Sequence, residues 1–388
     1  MHRFLSYLFD KQAGIAALIR EMVECESPSG SPQSINRFVD LIVERTRGIA
    51  EAQILPAPNA GNHLRLEFRT RSQTNQSQTL ALGHSDTVWP QGALKQMPFR
   101  NADGRLWGPG VLDMKAGLAF FLYAVRTLIE FEIPTANRVV LLVVSDEEVG
   151  SKTSRALTEA EASRSESVLV LEPGTGLTGK LKTARKAVGR YIVAIEGKAS
   201  HAGVDFENGA SAILEAARQL QRIASFTDLK RGTTVNPGVI SGGTRSNVIA
   251  AEARIDVDVR VSNLQAAEAI DAQLRSLTPF DKRCRVQIEG GLNRPPMERT
   301  AAIAALFAKA ERIAADLGIG LEESSTGGAS DGNFTAALGI PTLDGLGAVG
   351  EGAHASNESI LIDRIPDRVA LLAGLLAAPP PNPAQPAI

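Results

Sequence analysis

Residues 138–150 read RVVLLVVSDEEVG: after Arg138, six apolar residues from Val139 to Val144 run without interruption and stop at Ser145-Asp146-Glu147-Glu148. A continuous β-branched and leucine run with no polar alternation is the pattern of a strand covered on both faces, as in the sheet of an α/β domain. Two other runs end the same way. TLALG (79–83) stops at His84-Ser85-Asp86, and SVLVL (167–171) stops at Glu172-Pro173-Gly174. In open α/β sheets the binding crevice lies outside the carboxyl ends of the strands, so the three endings are expected to converge on one site. Two loops add residues of the same kind. GPGVLDMKAG (108–117) sets Asp113 just before the apolar helix expected over Ala116 to Glu130, and GAHAS (352–356) carries His354 among small residues. Each has a plainer reading alone, since an Asp before a helix is usually a cap and paired glutamates usually end a strand in water. Together, that reading needs five coincidences at one sheet edge.

Outward from this stretch, helical stripes recur at Ile15, Leu18, Ile19, Met22 and Val23, and after Ser31-Pro32 at Ile35, Phe38, Val39 and Ile42. Strand-like segments His63 to Phe68 and Thr79 to Leu82 flank the wholly polar Arg71 to Gln78, which predicts a hairpin or meander. From Val188 the texture becomes strand (GRYIVAIEG), helix (Ser211 to Ile223), two strands (TTVNPGVISGG, SNVIAAEARIDVDVRV), helix (Ala266 to Leu277) and strand (CRVQIEG). This βαββαβ order predicts a small ferredoxin-like sandwich, with Pro295-Pro296 as its exit. A helix stripe from Ile303 to Leu317 and a last helix near Asp367 to Leu376 return the chain to the first domain. The expected architecture is therefore α/β. A mixed-sheet domain flanked by helices (1–185 and 296–378) is interrupted by an inserted domain (186–295) and followed by a proline-rich tail, 379–388, of disordered composition.

The chain of 388 residues is 44% apolar, enough for a large core in each domain, and balances 41 Lys and Arg against 43 Asp and Glu. Without a basic block, a nucleic-acid or anionic-membrane partner is not expected. Cys25 and Cys284 form no disulfide framework, the apolar start MHRFLSYLFDKQ is too short for a signal peptide, and no stretch is long enough to span a membrane. A cytoplasmic protein is expected. A dinucleotide fold is disfavoured, because no G-x-G-x-x-G follows an early strand.

Two imidazoles with three or four carboxylates suit zinc, with cobalt or manganese as substitutes. Five ligands that include one bridging carboxylate complete two metal sites about 3.5–4 Å apart and leave room for a shared water. One carboxylate must stay unligated as general base, and the Glu147-Glu148 pair supplies one of each role. Successive strand residues point to opposite faces, so both can reach one site only from an irregular turn after Val144.

GHSDTV, GPGVLDMKAG, SDEEVGS, LEPG, GKASHAG, SNVIA, TGGASDGNF and GAHAS occur in this order across about 300 residues. The set resembles the co-catalytic zinc family of carboxypeptidase G, the glutamate carboxypeptidases, acetylornithine deacetylase, succinyl-diaminopimelate desuccinylase and the aminoacylases. The variant of carboxypeptidase G or the glutamate carboxypeptidases fits best, because Glu172 is followed by proline. The resemblance implies His84 and Glu172 on one zinc, Glu148 and His354 on the other, Asp113 bridging, Glu147 as general base and Asp86 orienting His84. It also implies a cis peptide at Asp113-Met114. The inserted domain would be a lid and the surface of a homodimer, with His201 stabilising the oxyanion. Arg260, with Asn236 and the Gly327-Gly328 loop, would hold the free carboxylate of a small peptide or N-acyl amino acid. Glu351 makes the GAHAS loop more acidic than the family pattern. Lys180, Lys182, Arg185 and Lys186 read as a solvated hinge surface or as a contact for an anionic substrate end. Three functions follow in order: release of a C-terminal residue such as glutamate, deacylation or desuccinylation by the same chemistry, and a catalytically silent binding protein.

Overall fold

The strands of the first sheet are buried on both faces because odd and even residues serve different cores. Val139, Leu141 and Val143 join one apolar cluster with Ala81 and Leu169, whereas Val140, Leu142 and Val144 join another with Leu80, Leu82, Val168 and Val170. That double burial is why the run RVVLLVV has no polar alternation. A fully buried Val or Leu contributes about 1.5–3 kcal/mol, so these strands anchor whatever their ends carry.

The computed structural model describes residues 2–74 and 76–378; the expected tail 379–388 lies outside the described residues. The principal elements in chain order are α1 (His2–Glu24), α2 (Pro32–Arg45), β1 (Ala50–Leu55), β2 (His63–Phe68), β3 (Gln78–His84), α3 (Ala116–Glu130), β4 (Arg138–Val144), α4 (Arg155–Ala162) and β5 (Ser165–Val170). They continue with β6 (Ala187–Glu196), α5 (Ala212–Ala224), β7 (Thr234–Gly242), β8 (Glu252–Val261), α6 (Leu264–Arg275), β9 (Arg285–Arg294), α7 (Ala301–Asp316), β10 (Thr342–Leu343) and α8 (Ile365–Leu376). Contacts divide the chain into two units. One comprises the described parts of Met1–Thr183, Arg299–Ser325 and Ser330–Ile388, the other Ala184–Glu298 with Thr326–Ala329.

The sheet of the first unit has the order β1-β2-β4-β3-β5-β10. It is mixed: β3 runs parallel to β4 and β5, while β2 is antiparallel to both β1 and β4. The expected hairpin between His63–Phe68 and Thr79–Leu82 is therefore absent, since β4 lies between β2 and β3. The crossover through α3 gives the buried run a parallel partner in β3, and it displaces the strand that is adjacent in sequence. Helices α1, α3 and α8 share the first core, with Ile19, Phe121 and Leu372 fully buried, and α4 covers the opposite face through Ala162. Among the described residues no helix is long and apolar enough to cross a membrane.

The second unit is a four-stranded antiparallel sheet, β7-β8-β6-β9, and with α5 and α6 it makes the βαββαβ sandwich that the sequence predicts. Here burial alternates along β8, so that Ile255, Val257, Val259 and Val261 face Ala216, Ile223, Ile270 and Leu274 of the helices. Ser211 and Asn263 cap α5 and α6 by accepting from the N–H groups of Leu214 (3.3 Å) and Ala266 (2.8 Å).

Two basic residues expected on a solvated surface are buried instead. The Lys182 ammonium donates to the Pro173 carbonyl at 2.6 Å with Asp344 at 3.8 Å, and Arg185 donates to the Gly328 carbonyl at 3.1 Å. Each places its charge on a loop carbonyl instead of in solvent.

Gly117, in the first turn of α3, and Gly347 both lie against the Leu171 carbonyl, next to Glu172. A methyl at Gly117 would meet that backbone oxygen well inside contact distance, and a backbone atom cannot swing aside. Helix propensity alone would make Gly117→Ala stabilising by about 1 kcal/mol, but the collision is the larger effect. Urea unfolding of Gly117→Ala should show a loss of about 1–3 kcal/mol, whereas a gain would show that α3 does not pack this closely.

Candidate metal centre

Strand register brings the three endings level. His84, the last residue of β3, pairs with Val144, the last of β4, and Leu82 pairs with Val170 of β5. Ser85, Ser145 and Leu171 thus leave the sheet at one edge. After Val144 the chain enters an irregular turn, closed by Ser151 N–H donating to the Asp146 carbonyl (2.7 Å) and Gly150 N–H to the Glu147 carbonyl (3.0 Å). This is the break in strand geometry that the Glu147-Glu148 pair requires.

Asp113 does not cap a helix. It sits in a turn at Val111–Lys115, with φ −116° and ψ 94°, ahead of α3, and its bond to Met114 is cis. His354 arrives by a different route. Arg105–Trp107 pairs with Ser359–Leu361, which pairs with Gly350–Glu351, so the intervening loop is held beside the strand that leads to Asp113. His354 has a φ of +62°, a left-handed conformation rare for a residue with a side chain. Glu351, the acidic departure in this loop, is paired at 2.9 Å with Arg105.

Asp113 faces two histidines, with Oδ1 3.2 Å from His84 Nε2 and Oδ2 3.3 Å from His354 Nε2. Glu172 Oε1 lies 3.6 Å from His84 Nε2, and Glu148 Oε2 lies 3.3 Å from His354 Nε2. Two triads result, His84/Asp113/Glu172 and Asp113/Glu148/His354, and in each the potential ligand atoms lie within 4.8 Å of one another. Glu147 lines one narrow cleft with His84, Met114, Glu172 and Asp331.

Asp86 acts on both sides of this cluster. Its carbonyl is 2.9 Å from His84 Nδ1 while its Oδ1 is 3.5 Å away, so the backbone makes the closer contact. The carboxylate accepts instead from the N–H groups of Glu147 (Oδ1, 3.2 Å) and Glu148 (Oδ2, 3.2 Å) and from Ser29 Oγ (2.9 Å). One buried aspartate thereby contacts His84 through its carbonyl and the turn of the two glutamates through its carboxylate.

His63, to which the sequence reading attached no role, supports that turn from below. Its Nδ1 accepts from Ser145 N–H (3.1 Å), and its Nε2 lies 3.2 Å from Thr153 Oγ1, which donates to Asp146 (2.8 Å). Burial holds its pKa below the usual histidine value, which suits a neutral ring that accepts at one nitrogen and donates at the other. Its register position opposite the end of β4 is invisible without the fold. Asp331 accepts from Ser151 Oγ at 2.5 Å and ties the glycine-rich segment to the same turn.

Burial opposes charge on His84, but the carboxylates of Asp113, Asp86 and Glu172 outweigh it and hold the imidazole well above its ordinary pKa. His354 is raised to about 10 by Asp113 and Glu148. Burial raises Glu148 despite His354 beside it, and Asp113 is held well below the carboxylate range because its two imidazoles outweigh burial. Burying this many carboxylates together is costly without compensating positive charge. The donor set therefore fits hard-to-borderline divalent cations, as does Glu148 Oε1, a buried oxygen with no hydrogen-bond partner.

The residues expected to hold substrate lie in the second unit. Asn236 of β7 stands opposite Asp258 of β8, and Arg260 is two residues along, so the three share one sheet face. Arg260 donates to Asp258 through Nε (2.9 Å) and Nη2 (3.1 Å) and to the Gly327 carbonyl through Nη1 (3.3 Å). His201 is exposed, and its Nδ1 accepts from Gly203 N–H at 3.1 Å.

The signature of peptidase family M20/M25/M40 matches residues 80–378. Carboxypeptidase G2 of Pseudomonas sp. (strain RS-16) is 28% identical over 378 residues, 95% of this chain and 89% of that protein. Acetylornithine deacetylase of Myxococcus xanthus is 32% identical over 208 residues, about half of each chain (50% and 53%). Among solved structures, aminopeptidase PepT from Bacillus cereus superimposes with a TM-score of 0.76 at 21% identity, covering 94% of this chain and 98% of that one. The chain thus belongs to peptidase family M20/M25/M40, as a metallohydrolase whose His, Asp and Glu cluster lies at the carboxyl edge of a mixed sheet.

Proposed function

We propose that this chain is a two-zinc amide hydrolase that releases a C-terminal amino acid, with glutamate as first candidate, from a small peptide or N-acyl conjugate. The observation that carries the reading is the Asp113 carboxylate, which gives one oxygen to each histidine triad. In this reading His84 and Glu172 hold one zinc, Glu148 and His354 the other, and Asp113 both; cobalt or manganese could substitute. Bound there, the metals would lower the pKa of a water and polarise the scissile carbonyl.

The chain's own groups supply the rest. Glu147 accepts a proton from the attacking water and returns it to the departing amide nitrogen. Its N–H is anchored on Asp86, which fixes the backbone that carries this carboxylate. His201 stabilises the oxyanion: with Nδ1 accepting from Gly203, a neutral ring carries its hydrogen on Nε2 and can donate it. Arg260 holds the free carboxylate of the substrate, oriented by Asp258, with Asn236 on the same sheet face and the Gly327-Gly328 segment alongside.

The carboxypeptidase reading is supported by the 28% identity to carboxypeptidase G2 along 95% of this chain. Acetylornithine deacetylase, 32% identical over a shorter span, favours N-acyl amino acid deacylation as the second reading, which requires no change in the roles above. A panel of folate-type glutamate conjugates, dipeptides and N-acyl amino acids, each with zinc or cobalt, separates the two. The same reading takes the second unit as the surface of a homodimer, supported by exposed Val204, Phe206, Leu214 and Ile240, and the cytoplasm as its compartment, supported by the free thiols of Cys25 and Cys284.

Elemental analysis of the folded protein should find about two zinc ions per chain, and Glu147→Gln should keep them while kcat falls by about 10²–10⁴-fold. A metal-free protein that hydrolyses its amide at the full rate would refute the mechanism. Arg260→Ala should reduce kcat/KM about 10–100-fold on substrates with a free carboxylate, chiefly through KM. Equal loss on the corresponding amide-capped substrates would take Arg260 out of carboxylate recognition.

A further inference from the structure

Three stretches that carry the clustered side chains meet on a carboxylate with no part in the chemistry above. Glu358 is buried, and four donors occupy it. Its Oε1 accepts from the N–H groups of Leu112 (2.8 Å) and Asp113 (3.1 Å), and its Oε2 from Gly110 N–H (2.8 Å) and the Trp89 indole (2.7 Å). Every partner donates, so only a deprotonated carboxylate accepts all four bonds.

The chain positions of these partners give the carboxylate its meaning. Gly110, Leu112 and Asp113 form the turn that aims Asp113. Gly110 has a φ of +72°, the left-handed conformation that lets the turn present successive N–H groups to one anion. Trp89 lies on the segment leaving His84-Ser85-Asp86. Glu358 itself closes the His354 loop, its N–H donating to the Ala355 carbonyl at 2.9 Å, while its own carbonyl accepts from Gly108 N–H at 3.3 Å. One side chain therefore links the Asp113 turn, the His354 loop and the segment after His84.

We infer that Glu358 is a positioning residue that holds Asp113 and His354 at the separation needed to share a cation. The inference rests on the two-metal reading and deepens it. Glu358 acts through the backbone of Asp113, and a group behind a metal ligand typically changes metal affinity about 10–100-fold when replaced. A carboxylate that served only to hold the fold would alter stability and leave the metal chemistry of the folded protein as it is.

Glu358→Gln tests this, because the amide nitrogen must face at least one pair of donors whichever way it turns. Zinc and cobalt affinities of the full chain, by competition with a chromophoric chelator, are compared for wild type, Glu358→Gln and Trp89→Phe, together with the visible spectrum of each cobalt-loaded protein. Wild type should take up two metals per chain. Glu358→Gln should melt cooperatively, bind the second metal about 10–100-fold more weakly and show a changed cobalt spectrum. Trp89→Phe removes one donor and keeps the carboxylate, so it should move affinity the same way by a smaller factor. If Glu358→Gln does not fold, Trp89→Phe decides the question. Wild-type affinity and an unchanged cobalt spectrum in the deciding variant overturn the role of Glu358. A wild-type chain that takes up one metal or none overturns the two-metal reading instead.

Discussion

Asp113 faces His84 through one oxygen and His354 through the other, and these histidines come from widely separated parts of the sequence. Much of the first unit can be understood as what it takes to hold that triplet. His84 is fixed by the last rung of a buried parallel strand. Asp113 is fixed by a short turn against α3, where glycine at 117 permits close approach to Leu171. His354 depends on the small antiparallel ladder that joins Arg105–Trp107 to Ser359–Leu361. The buried Arg368 of α8 adds a distant brace, donating to the carbonyls of Gly347 (2.9 Å), Gly179 (3.0 Å) and Gly345. A planar fork of donors serves three carbonyls in a way that a lysine could not.

The second constraint is charge. The whole chain is nearly neutral, yet Asp86, Asp113, Glu147, Glu148 and Glu172 gather at one sheet edge, all but Asp113 and Glu148 strongly buried. The structure manages this repulsion by giving several of the acids backbone or ring donors. Asp86 takes two N–H groups and a hydroxyl, and Glu358, just behind the edge, takes three N–H groups and an indole. What remains concentrated is the negative charge directed at the two histidines. A near-zero net charge is therefore compatible with a strongly acidic local field.

Legibility in the sequence followed periodicity. RVVLLVV announced a doubly buried strand, and its abrupt end at SDEE announced both the edge and the irregular turn that the structure has there. The βαββαβ unit was readable because β8, EARIDVDVRV, alternates so regularly. Pairing order was not readable: the polar linker Arg71 to Gln78 is what a hairpin loop looks like, and only the parallel partnership of β3 and β4 forbids one. Lys182 and Arg185 misled for a related reason, since a basic cluster shows its charge in the sequence but not the carbonyls it will cover. His63 and Glu358 left no signal because each depends on backbone N–H donors from distant segments, and a backbone N–H has no identity until the chain is folded. Residues that carry chemistry have distinctive side chains, whereas those that aim them are recognised by geometry.

The loop of His354 has a consequence for how the protein is made. A ribosome releases the chain from its amino end, so His84, Asp113, Glu148 and Glu172 emerge first, then the whole βαββαβ unit, and His354, Glu358 and Arg368 only after it. Domains tend to fold as they appear. A nascent chain can thus assemble the triad around His84 well before the triad around His354 has its histidine, its brace or its ladder. Completion of the paired arrangement therefore waits on synthesis of the whole βαββαβ unit, so the two triads are separated in time as well as along the chain.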